Sequence, residues 1–309
     1  MSLLLVQNLN TTYSSEKGPV RAVQDVSFSI NSGESVGIVG ESACGKSTLG
    51  LSLIRTIPGG KIESGTILLE GKSILDLTNQ EFDSQYRWKK ISMIFQGAMN
   101  SLDPVYTISQ QFSDILNQHS FEDKQIAKTL LKQVGLDESI LRRYPHELSG
   151  GMKQRVIIAM ALLLKPKLVI ADEPTTALDV LIQSQILNLF KSLKKQGVSF
   201  VLISHDLAVI SEVCEKIGIM YAGQMVEFGS SQQILQNPKH PYTQALIKSV
   251  PRLHDTAKPQ FIPGAPPSLV NPKPGCRFAP RCPHVMDKCN ADTILTKTET
   301  GYVQCWLYE

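Results

Sequence analysis

The first thirty residues alternate apolar and polar positions over short stretches. Leu3, Leu5 and Leu9, then Val23, Val26, Phe28 and Ile30, mark antiparallel strands around a turn at 14–19. Residues 35–39 are an apolar run that predicts a short buried strand entering a glycine loop, and a helix follows over 47–57, stopped by Pro58-Gly59-Gly60. Residues 65–75 predict a hairpin and 91–95 another strand. From 107 to 134 the period turns helical: Ile108, Phe112, Ile115 and Leu116 share one face, and Ile126, Leu130 and Val134 another. Residues 151–164 predict a further helix, ended before Pro166. Two strand–helix units follow, 168–171 with 180–195 and 199–203 with 207–214. This alternation predicts a mainly parallel, buried sheet with a helical insert.

The texture changes near residue 250. Pro251, Pro259, Pro263, Pro266, Pro267, Pro272, Pro274, Pro280 and Pro283 exclude regular helix or a central strand over 251–283. The expected division is one large domain over 1–250, with a helical subdomain at about 97–165, and an irregular extension over 251–309.

Composition adds limits. The chain has 309 residues, 42% hydrophobic and 19% charged, enough apolar material for a substantial core. A net charge of +3 is too small to argue for a nucleic-acid partner. No apolar run reaches the roughly 18–20 residues of a membrane-spanning helix. Residues 1–6 show neither a basic leader nor a small-residue cleavage site, so the expectation is a cytoplasmic chain that meets the membrane only through a partner.

Candidate chemistry begins at Gly40-Glu41-Ser42-Ala43-Cys44-Gly45-Lys46-Ser47, followed by Thr48. The stretch fits G-x-x-x-x-G-K-[ST] and has the required strand before it and helix after it. Phosphates need backbone N–H donors at a helix N-terminus, and glycine lets the chain curl close. Lys46 is then placed for the β/γ-phosphates and Ser47 for Mg²⁺. Asp172 ends an apolar strand and can hold Mg²⁺ through water, while Glu173 can orient and deprotonate the attacking water. No guanine-specifying N-K-x-D occurs.

Between these two halves lies Leu148-Ser149-Gly150-Gly151-Met152-Lys153-Gln154-Arg155. The three elements together resemble the ATP-binding cassette (ABC) ATPases over roughly residues 1–250. The resemblance implies an α/β fold, a P-loop NTPase of the ABC type with an antiparallel β subdomain, a helical subdomain and a C-terminal extension. It implies an ATP hydrolase working as a head-to-tail dimer, with Ser149, Gly150, Gly151 and Gln154 facing the ATP of the opposite subunit. Tyr13 resembles the aromatic that stacks on adenine, Gln96 the glutamine that senses Mg²⁺ and couples to the transmembrane partner, Asp179 the aspartate of the loop that meets the other subunit, and His205 the histidine that contacts the γ-phosphate. Two departures stand out. Ala43 takes a place usually held by glycine, where a methyl group is tolerated if φ is negative. Gly97-Ala98 follow Gln96 where the family has an acidic residue and proline.

The tail narrows the branch. Asn237-Pro238-Lys239-His240-Pro241-Tyr242-Thr243, the 262–269 segment and Cys276-Arg277-Phe278-Ala279-Pro280-Arg281-Cys282-Pro283 resemble the oligopeptide/dipeptide importer ATPases, a branch that includes nickel importers. Cys276, Cys282, Cys289 and Cys305 are spaced C-x5-C-x6-C-x15-C, looser than the pairs of structural zinc sites. On this irregular backbone they suit a [4Fe–4S] cluster, which the resemblance also implies; zinc, or free or disulfide-paired thiols, are the alternatives. Cys44 and Cys214 are expected outside any such site.

The resemblance therefore implies an ATPase subunit that energises peptide uptake, peripheral on the cytoplasmic side of the membrane. Its implied partners are two transmembrane permease subunits, a second ABC ATPase subunit (a paralogue or a second copy) and an extracytoplasmic solute-binding protein. Nickel or another small solute is the alternative substrate. A soluble non-transport ABC ATPase is the rival from another class; long coiled-coil insertions and a second cassette, which such proteins carry, are missing from the sequence.

Overall fold

A computed structural model of the chain describes residues 2–123, 125–249 and 262–309. It divides into two compact units, Met1–Asn31, Ser35–Leu75 and Ile203–Glu309 in the first, Ser32–Glu34 and Asp76–Leu202 in the second.

The first unit opens with β1 (Ser2–Tyr13) and β2 (Val20–Asn31), paired antiparallel from Tyr13↔Val20 to Ser2↔Asn31. In β2 the expected Val23, Val26, Phe28 and Ile30 are buried, whereas in β1 Leu4 and Val6 are fully buried with Leu3 and Leu9 and the expected Leu5 is only half-buried. Next, β3 (Ser35–Val39) is buried at every position and leads through the glycine loop into α1 (Lys46–Leu53). This helix ends earlier than the predicted 57. Arg55 turns left-handed at φ 54, and Thr56 N–H reaches back to Leu51 O at 2.9 Å, a Schellman end made without glycine. The freed chain becomes β4 (Gly60–Leu69), antiparallel to β1, and β5 (Lys72–Ser73). Glu70 and Gly71, at φ 53 and 77, make the two-residue hairpin turn whose backbone matches strand twist.

The second unit begins with α2 (Asn79–Gln85), where Thr78 and Glu81 form a capping box. Then come β6 (Ile91–Ile94), α3 (Ile108–Gln118) and α4 (Ile126–Gln133). The helical insert is as expected, with Ile108, Phe112, Leu116, Ile126 and Leu130 buried. It continues into α5 (Gly150–Ala161), β7 (Leu168–Asp172), α6 (Val180–Lys195) and β8 (Ser199–Ser204), whose last two residues already belong to the first unit. β6 and β7 run parallel, Ile91↔Leu168 to Ile94↔Ala171. Phe190 of α6 meets Phe200 of β8 edge-on at 5.0 Å.

The chain then returns to the first unit with α7 (Leu207–Val213) and β9 (Lys216–Tyr221), parallel to β3. β10 (Gln224–Ser230) folds back antiparallel on β9, and α8 (Ser231–Gln236) and α9 (Pro241–Ser249) follow. The tail is not wholly irregular. β11 (Leu295–Lys297) and β12 (Tyr302–Gln304) extend this sheet, Phe228↔Tyr302 joining β12 to β10. Phe278 of the tail packs against Tyr221 and Tyr242 with ring centroids 5.2 and 5.4 Å away. Its full burial contributes about 2–3 kcal/mol to holding the tail in place. Pro251 and Pro259 lie outside the described residues.

Candidate functional site

The glycine loop sits where a buried strand gives way to a helix. Gly45, at φ 102, is the residue before α1 and adopts a turn that side chains resist. Behind it the first turn of α1 presents free backbone N–H groups, an arrangement that attracts anions. The Lys46 side chain, 7% exposed, lies inside the loop. Its Nζ donates to Gly40 O at 2.8 Å and Glu41 O at 2.9 Å. Ser42 and Ala43 are exposed, while Ser47 and Thr48 are half-buried on the helix. Cys44 is buried, and burial raises its thiol pKa against the opposing pull of the Lys46 charge. Ala43 does not meet the condition of a negative φ: it sits at φ 61, in the left-handed region.

Tyr242 of α9 and Arg281 of the extension hold this loop, a part the sequence motifs around them do not reveal. The Tyr242 hydroxyl accepts from Glu41 N–H at 2.9 Å, and Arg281 grips the Glu41 carboxylate. Nothing local predicts this, since Arg281 stands 240 positions from Glu41. Tyr13 ends β1 beside Thr48, the hydroxyls 3.3 Å apart. His205 follows β8 as an exposed residue just before the Asp206 cap of α7. The loop, Tyr13 and His205 all belong to the first unit.

The second unit carries the other candidates. Asp172 closes a strand buried at every position, itself 3% exposed. Glu173 turns left-handed at φ 52 and accepts from Thr176 Oγ1 at 2.5 Å. Such strained non-glycine backbone costs about 1–3 kcal/mol and is retained where position matters. Ser149 caps α5, its Oγ accepting from Met152 N–H at 3.3 Å. A Cβ on Gly151 would come within 2.8 Å of Ile182, so only glycine lets α5 and α6 approach there. Gln154, by contrast, is turned inward and 4% exposed. Asp179 is exposed and caps α6 through Ile182 N–H at 2.9 Å. Gln96 is exposed at the end of β6, next to Gly97 at φ 67.

Residues 23–176 match the ABC transporter family, and residues 226–289 match the family described as oligopeptide/dipeptide transporter, C-terminal region. The oligopeptide transport ATP-binding protein AppD of Bacillus subtilis (strain 168) is 46% identical over 100% of this chain and 97% of its own length. The chain belongs to the ABC transporter ATPases of the oligopeptide/dipeptide branch. This ABC ATPase is also 42% identical to the oligopeptide transport ATP-binding protein OppD of Escherichia coli (strain K12), over 97% of the chain and 91% of the relative. Among solved structures, the ATP-binding cassette MJ0796, a dimer in a post-hydrolysis state bound to ADP and Pi, is 28% identical with a TM-score of 0.65, covering 74% of this chain and 98% of that one. cbiO1 from Clostridium perfringens, part of the cbiONQ transporter complex, gives a TM-score of 0.67 at 28% identity, over 76% and 91%. The α/β ABC fold expected from sequence is the fold of this ABC ATPase.

The iron–sulfur expectation is overturned. Cys276, Cys282, Cys289 and Cys305 do converge on one small cavity, with His240 and His284 on its wall. Yet among the described residues no group of three or more His, Cys, Asp or Glu side chains is placed to hold a metal ion. The same finding leaves zinc without a site. Burial pushes the Cys276 thiol up to about 11 and raises Cys282 and Cys305. None of the six cysteines forms a disulfide, and the tail four pack as small, weakly polar side chains. Loose spacing on a proline-rich backbone brought the cysteines together in sequence terms; it could not fix the geometry a cluster requires.

Proposed function

We propose that this chain is the subunit that binds and hydrolyses ATP to energise uptake of di- and oligopeptides by an ABC importer. One observation carries the reading: a buried strand delivers Gly40 to a helix N-terminus where Lys46 is held against the loop carbonyls. The match to peptide-transport ATP-binding proteins over the whole chain supports the substrate class.

In this reading Mg·ATP is the substrate. The loop N–H groups and Lys46 take the phosphates, and Tyr13 stacks on adenine. Ser47, Gln96 and Asp172 are the proposed Mg²⁺ residues, Asp172 acting through water. Glu173 orients and deprotonates water, and His205 contacts the γ-phosphate. Ser149, Gly150 and Gly151 face ATP held by a second cassette, with Asp179 lining the same contact. Gln154, buried in the chain alone, is proposed as part of the same signature face. Hydrolysis here is positioning and charge neutralisation, so the protein supplies little covalent chemistry.

No described helix is long and apolar enough to cross a membrane, so coupling runs through other chains. The proposed assembly places this chain on the cytoplasmic side, under two permease subunits. A paralogous cassette completes the ATP sites, and an extracytoplasmic binding protein delivers peptide. The proposed division keeps the cassette over 1–250 and the branch-specific extension over 251–309.

The test is ATP turnover by the chain co-purified with its permease subunits, with and without peptide-loaded binding protein. Stimulation by peptide is expected. Stimulation by a non-peptide solute alone would remove the peptide reading, and turnover indifferent to the permeases would remove the importer.

A further inference from the structure

The extension touches the nucleotide loop directly. Arg281 is 6% exposed at its side chain and forms a fork on Glu41, Nη1 to Oε2 at 2.8 Å and Nη2 to Oε1 at 3.0 Å. Nη1 also donates to Tyr221 Oη at 3.1 Å, Nη2 to Ile262 O at 3.2 Å and Nε to Pro263 O at 2.7 Å. A guanidinium has five N–H donors, and all are engaged. Such a group is locked, and its planar fork matches a carboxylate in a way lysine cannot.

Glu41 is therefore fixed at three points. Arg281 holds its carboxylate, Tyr242 its N–H, and Lys46 its carbonyl. Glu41 is also an acidic side chain in a loop built to receive phosphates. An unneutralised carboxylate there repels an anionic ligand through a partly buried medium, where such repulsion is strong. Its side chain is 24% exposed, too little for water to screen it fully.

We propose that Arg281 is a positioning residue for nucleotide: by neutralising and anchoring Glu41 it lets the phosphate loop accept ATP, so the extension sets the nucleotide affinity of the cassette. The inference rests on the ATP-binding reading above. It gives the extension a part in the cassette's own chemistry, separate from any contact with permease or peptide.

The test measures binding of a fluorescent N-methylanthraniloyl ATP with Mg²⁺ to the full chain. Arg281→Met is expected to weaken binding about tenfold. Glu41→Gln in that background is expected to restore it to within about threefold of Glu41→Gln alone, because the repelling charge is gone. A merely structural arginine would show its loss and rescue in the urea midpoint as well, so the affinity change must appear at an unchanged midpoint. Arg281→Met binding as the wild type does, or a double variant as weak as Arg281→Met, overturns the proposal. Should Arg281→Met fail to fold, Arg281→Gln, which also removes the charge, carries the comparison. Loss relieved by Glu41→Gln supports the proposal, and unchanged affinity overturns it. If the wild-type chain itself binds no nucleotide, the ATP reading fails instead, so the two failures stay distinct.

Discussion

The Tyr242 hydroxyl accepts a hydrogen bond from the Glu41 backbone N–H at 2.9 Å. Tyr242 is fully buried, and burial holds its phenol far above the ordinary range, so it stays neutral at any working pH. Its ring also packs on Tyr221 at 4.6 Å. Tyr242→Phe keeps the ring and removes the acceptor, leaving a polar group without its partner. The expected cost is about 1–3 kcal/mol of stability, read as a lower urea midpoint with unchanged m-value. Nucleotide affinity should fall with it. A variant as stable as the wild type would mean that the hydroxyl contributes nothing to the loop.

Ala43 stands at φ 61, where its methyl group crowds the backbone. The left-handed conformation costs an L-residue roughly 1–2 kcal/mol, while glycine loses about 0.5–1 kcal/mol more entropy on folding. Ala43→Gly is thus expected to stabilise the fold by up to about 1 kcal/mol, since Ala43 is exposed and loses no packing. Thermal unfolding without nucleotide measures it. A fall in Tm would show that the strain is absorbed elsewhere in the loop.

His240 gives a pH signature with a definite sign. It is buried, its Nδ1 accepts from Tyr242 N–H at 3.0 Å, and burial lowers its pKa from 6.5 to about 3. The unfolded chain binds a proton below about 6.5 that the fold refuses, so this group's contribution falls as pH drops from 6.5 towards 3, by up to about 1.4 kcal/mol per pH unit. Glu227, which accepts from His240 N–H at 2.9 Å, works oppositely. Burial raises its pKa above 4.5, so its contribution is lost as pH rises through that raised value. The Cys276, Cys282 and His284 side chains share the cavity wall with His240. The two slopes oppose each other in the wild type. His240→Asn keeps an acceptor for Tyr242 N–H and removes only the histidine titration. The stability difference, wild type minus variant, should therefore grow as pH rises from 4 to 6.5 and level off above it. A difference independent of pH would show His240 titrating alike in both states.

Continuous apolar runs made the strands at 35–39, 168–171 and 199–203 legible, because a buried strand needs no partner pattern to announce it. The same logic failed where structure depends on distant pairing. β11 and β12 are three residues each and exist as strands only through pairing, β12 on β10 and β11 on β12, so no local period marks them. Helix α1 overran in prediction because its left-handed stop falls on Arg55 instead of a glycine. The phosphate loop and the motif at 148–155 were readable since both are contiguous. The Arg281–Glu41 pair was not, because its members stand 240 positions apart and no local pattern links them. The cysteines misled for the converse reason: composition and spacing suggested a site that side-chain placement does not form.

Glu173 follows a buried strand, is half-buried and sits at φ 52. Its Oε2 accepts from Thr176 Oγ1 at 2.5 Å, which fixes the carboxylate's direction. A general base must be aimed before it is useful, and aiming supplies most of what phosphoryl transfer asks of the protein. Glu173→Gln keeps the shape and loses the base. Turnover by the assembled transporter is expected to fall about 10²–10⁴-fold, with nucleotide affinity nearly unchanged. Thr176→Val should lower turnover less, because the base survives and only its orientation loosens. Rapid-quench measurement of the first turnover separates chemistry from release. Wild-type hydrolysis by Glu173→Gln would remove Glu173 from the reaction and move the search to His205 and Asp172.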